Sequence, residues 1–215
     1  MKHSVLVIGL GRFGTAAARE LSALGHEVLA IDAGEARVND LAPDVTHAIQ
    51  LDASDEDALR AVGAGEFQHA IVAISSNVEA SIFATMALKN LGVSNVIAKA
   101  STGLHGSILE RVGADRVVYP EREMGIRASH TFSIRNVIDY IDVAPGFGIV
   151  KIHPPKSFVG KSLRELDLAN RFRLTPIAVR RGDDVTVNPH RDDKIEATDE
   201  LILIGLDARL EELGE

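Results

Sequence analysis

Cysteine and tryptophan are both missing from the 215 residues, and aromatic side chains make up only 4% of them. Without cysteine there can be no disulfide, no thiolate nucleophile and no cysteine-based zinc site. So few aromatic rings leave no stacking platform of the kind that holds single-stranded nucleic acid. No apolar run approaches the roughly 18 to 20 residues needed to cross a bilayer, and the chain enters a strand-like run at once, without a signal-peptide pattern. A soluble globular protein of the cytoplasm is expected. Positive charge is also scarce: 23 Lys and Arg against 31 Asp and Glu give a net charge of −8, which argues against a general nucleic-acid or anionic-membrane surface. Any membrane partner therefore has to be a protein. The length fits one or two domains, and a 46% hydrophobic fraction suffices for a sizeable core.

What is present begins at the N-terminus. Val5-Leu6-Val7-Ile8 feeds Gly9-Leu10-Gly11-Arg12-Phe13-Gly14, and residues 15–24 follow with Ala17, Leu21 and Leu24 on one helical face. Strand, glycine turn and helix in this order form a phosphate-binding device. Gly9 permits the tight turn, Gly11 removes a side chain that would block a pyrophosphate, and Gly14 lets the helix sit close on the strand. Free N–H groups at the helix start face the anion. A second strand, 26–31, ends at Asp32, 18 residues after Gly14, a spacing that suits a carboxylate accepting from ribose hydroxyls. A ribose 2′-phosphate is disfavoured, because no arginine is visible beside Asp32 to offset two facing anions.

Four further β-type runs, 46–51, 70–74, 96–99 and 116–119, alternate with helical patterns, so the first 120 residues read as a Rossmann-like, doubly wound parallel sheet. Ser54 and Asp57 suggest a capping box for the helix after the third strand. The helix over 77–91 stops at Gly92, with Asn77 as its N-cap, and the cap does not preclude a ligand contact from the same residue. Ser75-Ser76, at the end of the fourth strand, is placed to line the nucleotide crevice. Residues 121–144 read as a connector, helical to about 139. After the break at Pro145-Gly146-Phe147-Gly148, residues 145–215 read as a small α+β lobe, with strands at 149–152, 174–180, 184–187 and 200–205 and a helix over 162–168.

Groups for covalent chemistry are hard to find. The eight histidines show no metal-ligand spacing and read as surface or capping residues, and neither a nucleophile elbow nor a P-loop occurs. An NAD-dependent oxidoreductase needs an acid or base beside its nicotinamide, and none is evident. The nucleotide lobe reads as binding rather than reacting. Arg12, inside the glycine turn, opposes the helix dipole unless an anion offsets it, so it is a candidate for sensing phosphate number. Lys99, at the end of the fifth strand, is a weaker candidate of the same kind. An NADH-binding redox sensor remains a competing reading of the same turn.

With these residues in view, the chain resembles the RCK (regulator of K⁺ conductance) family, in particular the cytosolic gating subunits of Ktr and Trk potassium transporters. The resemblance rests on the glycine turn and on Asp52-Ala53-Ser54-Asp55, Ala80-Ser81-Ile82, Lys99-Ala100, Gly113-Ala114-Asp115 and Tyr119-Pro120-Glu121. It implies a nucleotide lobe, crossover helices and a small C-terminal lobe. It also implies ATP or ADP as ligand, with Asp32 on the ribose, the turn including Phe13 on the phosphates, Arg12 on the terminal phosphate, and Asp52 and Ala53 beside the adenine. NAD(H) is the alternative ligand. Glu121 is either the family's interface acid, holding Mg²⁺, Na⁺ or Ca²⁺ near the nucleotide, or a plain helix-start glutamate. The resemblance further implies a homodimer assembling into a larger ring, an octamer, against the inner face of the membrane under a potassium-translocating subunit. Cyclic di-AMP in the C-terminal lobe is a further implied ligand, with Arg171 and Asn188-Pro189-His190 as the contacts to test. Leu51 is a departure, since the family often has glycine there.

Overall fold

The computed structural model describes residues 2–133, 136–211 and 213. The chain divides into two compact units, 1–121 and 122–215. The first holds β1 (Ser4–Ile8), α1 (Arg12–Ala23), β2 (Glu27–Asp32), α2 (Glu35–Leu41), β3 (His47–Gln50), α3 (Glu56–Ala61), β4 (His69–Val72), α4 (Val78–Asn90), β5 (Asn95–Lys99), α5 (Gly103–Arg111) and β6 (Arg116–Val118). Its six strands are all parallel, in the order β3-β2-β1-β4-β5-β6. Such a sheet has to be apolar on both faces, and β1 shows how. Leu6 and Ile8 enter one core with Leu29, Ile31, Leu59, Val72 and Leu88, while Val5 and Val7 enter the opposite one with Ala18, Val28, Val38 and Leu41.

The boundary between the units falls within α6 (Pro120–Ser133). The second unit continues with β7 (Val137–Ala144), β8 (Phe147–Ile152), α7 (Leu163–Leu166), α8 (Leu168–Phe172), β9 (Thr175–Arg181), β10 (Asp184–Val187), β11 (Asp199–Leu206) and α9 (Asp207–Glu211). Its five strands are antiparallel, in the order β10-β9-β11-β8-β7. Tyr140, Val150, Ile152, Phe158, Leu166, Leu174, Leu201 and Leu203 form its core. Ser162 and Glu165 cap α7 reciprocally.

Three expectations are corrected. The helical connector does not reach residue 139: α6 ends at Ser133, residues 134–135 lie outside the described residues, and Val137–Ala144 is a strand of the second sheet. Pro145-Gly146 is thus a hairpin turn joining β7 to β8, with Gly146 at φ +74°, rather than a break between modules. The capping box at Ser54 and Asp57 is replaced by Asp55, whose carboxylate accepts from the amides of Asp57 and Ala58 at 2.9 and 3.2 Å, while the Ser54 hydroxyl donates to Asp52 at 2.7 Å. And α1 begins at Arg12, not at residue 15, which places Arg12 in its first turn. Asn77 does cap α4, accepting from the Ala80 amide at 3.1 Å.

Candidate functional site

The site lies at the C-terminal ends of β1, β2 and β4, where the strand order reverses between β1 and β4 and parallel sheets open a crevice. Gly9 turns the chain there with φ +92°, and its amide donates to the Ile31 carbonyl at 2.8 Å. A Cβ on Gly14 would lie 1.9 Å from the Gly9 carbonyl oxygen, so its absence brings α1 against the turn. Gly11 is the opposite case: nothing lies within 4 Å of the place a Cβ would take. The open space sits directly before α1, whose N-terminus has no side-chain cap, so its amides remain available to an anion.

Asp32 closes the other side. Although only 7% exposed, it is held by four donors. The Leu10 amide donates to Oδ2 at 2.6 Å, and Oδ1 accepts from the Gly34 amide at 2.7 Å and from Arg37 Nε and Nη2 at 2.9 and 2.6 Å. Burial alone would raise this carboxyl, but the Arg37 guanidinium and the two amides outweigh it and hold Asp32 below the ordinary carboxylate value. An arginine therefore does stand beside Asp32, contrary to the sequence expectation. The Gly34 turn starts α2 and carries Arg37 back over the acid. The available signal was the one used for Arg12, a cation in the first turn of a helix, where it needs an anion.

Gly9, Gly11, Asp32, Asp52, Ala53, Ser75, Ser76 and Asn77 line one cavity of about 340 Å³. Leu51, Ile74 and Ala80 supply apolar wall, and Arg37 completes the rim. The side chain of Asp52 is held below its ordinary value by the Ser54 hydroxyl and amide. The remaining expected residues lie outside the cavity. Gly14 shapes the turn from behind, and the side chain of exposed Arg12 forms no hydrogen bond among the described residues. Lys99 is buried rather than solvated, 2.5 Å from Glu121 and 5.8 Å from the centre of the Phe13 ring. Hydrogen bonding to Lys99 holds the Glu121 carboxyl below its ordinary value, with the charge of Arg12 adding to it.

Glu121, the candidate for a cation near the nucleotide, is paired with Lys99 in this chain. Its carboxylate already faces an ammonium, and no group of three His, Asp or Glu side chains that could hold a metal ion occurs among the described residues. In the second unit, Arg171 lines a cavity of about 370 Å³ and Pro189 a different one of about 420 Å³. The histidines are not all surface residues either. His105 is buried, its Nε2 without a partner among the described residues, whereas His3, which packs its ring against those of His26 and His69, is exposed.

Against this geometry, the TrkA-N domain model matches residues 5–120 and the TrkA-C domain model residues 148–215. Ktr system potassium uptake protein C of Bacillus subtilis is 39% identical over 205 residues, 95% of this chain and 93% of that protein. Ktr system potassium uptake protein A of the same organism is 37% identical over 93% of this chain and 90% of that protein. Among solved structures, the GsuK RCK domain superposes over 100% of this chain and 48% of that one, with a TM-score of 0.69 at 19% identity. The GsuK channel bound to NAD covers 99% of this chain and 39% of its own, with the same TM-score at 18% identity. This chain thus spans under half of either GsuK chain, and at such identity the likeness establishes the fold alone. No described helix is long and apolar enough to cross a membrane. Paired TrkA-N and TrkA-C matches, with relatives at 37 and 39% identity along nearly the full length, place the chain in the RCK family alongside the Ktr potassium uptake proteins.

Proposed function

We propose that this chain is the nucleotide-sensing regulatory subunit of a potassium uptake system, cytoplasmic and held at the inner face of the membrane by a Ktr- or Trk-type translocating subunit. The observation that carries the reading is the cavity itself. An uncapped helix N-terminus and open space at Gly11 offer a phosphate site at one end, and Asp32 offers a ribose acceptor at the other. Leu51, Ala53, Ile74 and Ala80 give an apolar surface for a base between them. The Arg12 side chain stands at the phosphate end without a hydrogen-bond partner among the described residues, which suits a group that counts phosphates and separates ATP from ADP.

No covalent step on the nucleotide belongs to this reading. Regulation needs only that two shapes of an assembled ring, built from homodimers up to an octamer, bind ATP and ADP with different affinity. A nucleotide that bound both shapes equally would shift nothing. No step is routed through a cation; a cation at Glu121 would have to share its largely exposed carboxylate with Lys99. Cyclic di-AMP in the second unit would lie between two copies, with Arg171 and the Asn188-Pro189-His190 turn as its contacts; Arg171 and Pro189 line different cavities of one chain.

Calorimetric titration with ATP, ADP and NADH tests the reading. Adenine-nucleotide binding is expected, with Arg12→Ala removing most of the ATP/ADP difference and leaving NADH affinity nearly unchanged. Failure of both ATP and ADP to bind would refute it. A marked preference for NADH that Arg12→Ala leaves intact would favour the redox-sensor reading instead.

A further inference from the structure

An arginine at the ribose end of a Rossmann crevice is ordinarily the receptor for a 2′-phosphate, whereas an acid there accepts from a free 2′-hydroxyl. This crevice has both, and their hydrogen bonds decide between them. Oδ1 of Asp32 takes three donors, the Gly34 amide and two nitrogens of Arg37, while Oδ2 takes one, the Leu10 amide. A carboxylate offers about four acceptor positions in all, so Oδ1 is filled and Oδ2 keeps room for one more donor.

The guanidinium spends Nε and one hydrogen of Nη2 on Asp32 and keeps Nη1 free, but a 2′-phosphate that reached those remaining donors would set a dianion against the buried, ionised carboxylate that Arg37 already neutralises. A 2′-hydroxyl meets no such repulsion, since it donates to the open position on Oδ2. Arg37 itself is 56% exposed and lines the cavity, so its side chain lies close enough to the ligand to matter without being buried by the fold.

We propose that Arg37 is a positioning residue, one that fixes the rotation of the Asp32 carboxylate so that the site selects adenine nucleotides with a free 2′-hydroxyl, and that it is not a 2′-phosphate receptor. The inference rests on the reading of the cavity as a nucleotide site.

The test is titration calorimetry on the full chain with two matched pairs. ADP against 2′-deoxy-ADP reads the hydroxyl, and AMP against adenosine 2′,5′-bisphosphate reads the phosphate. Wild type is expected to favour ADP over 2′-deoxy-ADP by about tenfold, the worth of one hydrogen bond to a charged acceptor. AMP should likewise be bound more tightly than the bisphosphate. In Arg37→Ala the ADP to 2′-deoxy-ADP ratio should fall to about twofold, because an unfixed carboxylate loses the preorganised acceptor. Arg37→Lys retains the charge but not the planar two-nitrogen grip, so its ratio should lie between those of wild type and Arg37→Ala. These are ratios within one protein, so partial unfolding does not imitate them, and Arg37→Lys carries the test should Arg37→Ala not fold. An unchanged ratio in the variants overturns the inference alone. So does wild type binding the bisphosphate more tightly than AMP, with Arg37→Ala abolishing that preference. Failure of wild type to bind any of the four overturns the cavity reading and the inference with it.

Discussion

Gly11 and Gly14 stand three residues apart in one turn, yet an alanine at each should do opposite things. At Gly14 a Cβ would meet the Gly9 carbonyl oxygen at 1.9 Å and the Ala73 Cβ at 3.0 Å. To reach even 3.0 Å from that oxygen, α1 would have to retreat by 1.1 Å, and the obstacle is backbone that cannot rotate away. Overpacking of this kind costs about 3 kcal/mol at the upper end of its usual range. The better helix propensity of alanine returns about 1 kcal/mol, leaving a net loss of roughly 2 kcal/mol. For a unit of this size that lowers the melting midpoint by roughly 8 °C. At Gly11 the Cβ meets nothing, and the only structural penalty is that alanine caps a helix less well than glycine, about 1 kcal/mol at most. The same Cβ nevertheless occupies the space assigned to the phosphates, so Gly11→Ala should weaken ADP binding by more than about tenfold, the equivalent of one charged hydrogen bond. Far-UV circular dichroism melts, the natural probe for a chain without tryptophan, and ADP titration together read both effects. A Gly14→Ala protein that melts with wild type, or a Gly11→Ala protein that binds ADP as wild type does, would refute the geometry.

Two ion pairs give further predictions. Asp199 is fully buried and accepts from Arg181 Nε and Nη2 at 2.7 and 2.9 Å and from the Glu196 amide at 2.8 Å. Asp199→Asn should therefore cost about 2 kcal/mol at neutral pH in urea unfolding of the second unit. Burial would raise the Asp199 carboxyl, but Arg181 and the amide outweigh it and lower it. Its stabilisation is accordingly complete above the ordinary carboxylate value of about 3.9 and is lost as pH falls through the lower folded value. The gap between wild type and Asp199→Asn should then hold down to about pH 4 and close below it, and a gap that widened on acidification would contradict the assignment. Glu121→Gln removes the carboxylate facing the buried Lys99. Because Glu121 itself is largely exposed, the first unit should lose only about 1 kcal/mol on chemical unfolding.

The parts of the fold legible in the sequence were those decided within a few residues. The glycine turn, the alternating strands of the parallel sheet and the Asn77 cap all express local geometry, and all stand where the residue pattern puts them. β7 was not legible, because its identity depends on a partner. Asp139 and Asp142 make Val137–Ala144 look polar, and it becomes a strand only through pairing with β8 across Pro145-Gly146. Lys99 shows the same limit in the site. Its burial depends on Glu121, 22 residues away, and on Phe13 in another helix, neither of which a strand-end lysine announces.

Asp32 carries this point furthest, because it is both a structural residue and the ribose acceptor of the proposed site. Its Oδ2 accepts from the amide of Leu10, inside the glycine turn, and its Oδ1 fastens the Gly34 turn that launches α2. Replacing it would release the phosphate turn, the start of α2 and Arg37 together, so loss of nucleotide binding in such a variant could not distinguish a missing ligand contact from a displaced turn. Arg37 does not share that ambiguity. Its side chain hydrogen-bonds to Asp32 alone among the described residues, and it is more than half exposed. The ribose end of the cavity is therefore better interrogated at Arg37 than at the acid it holds.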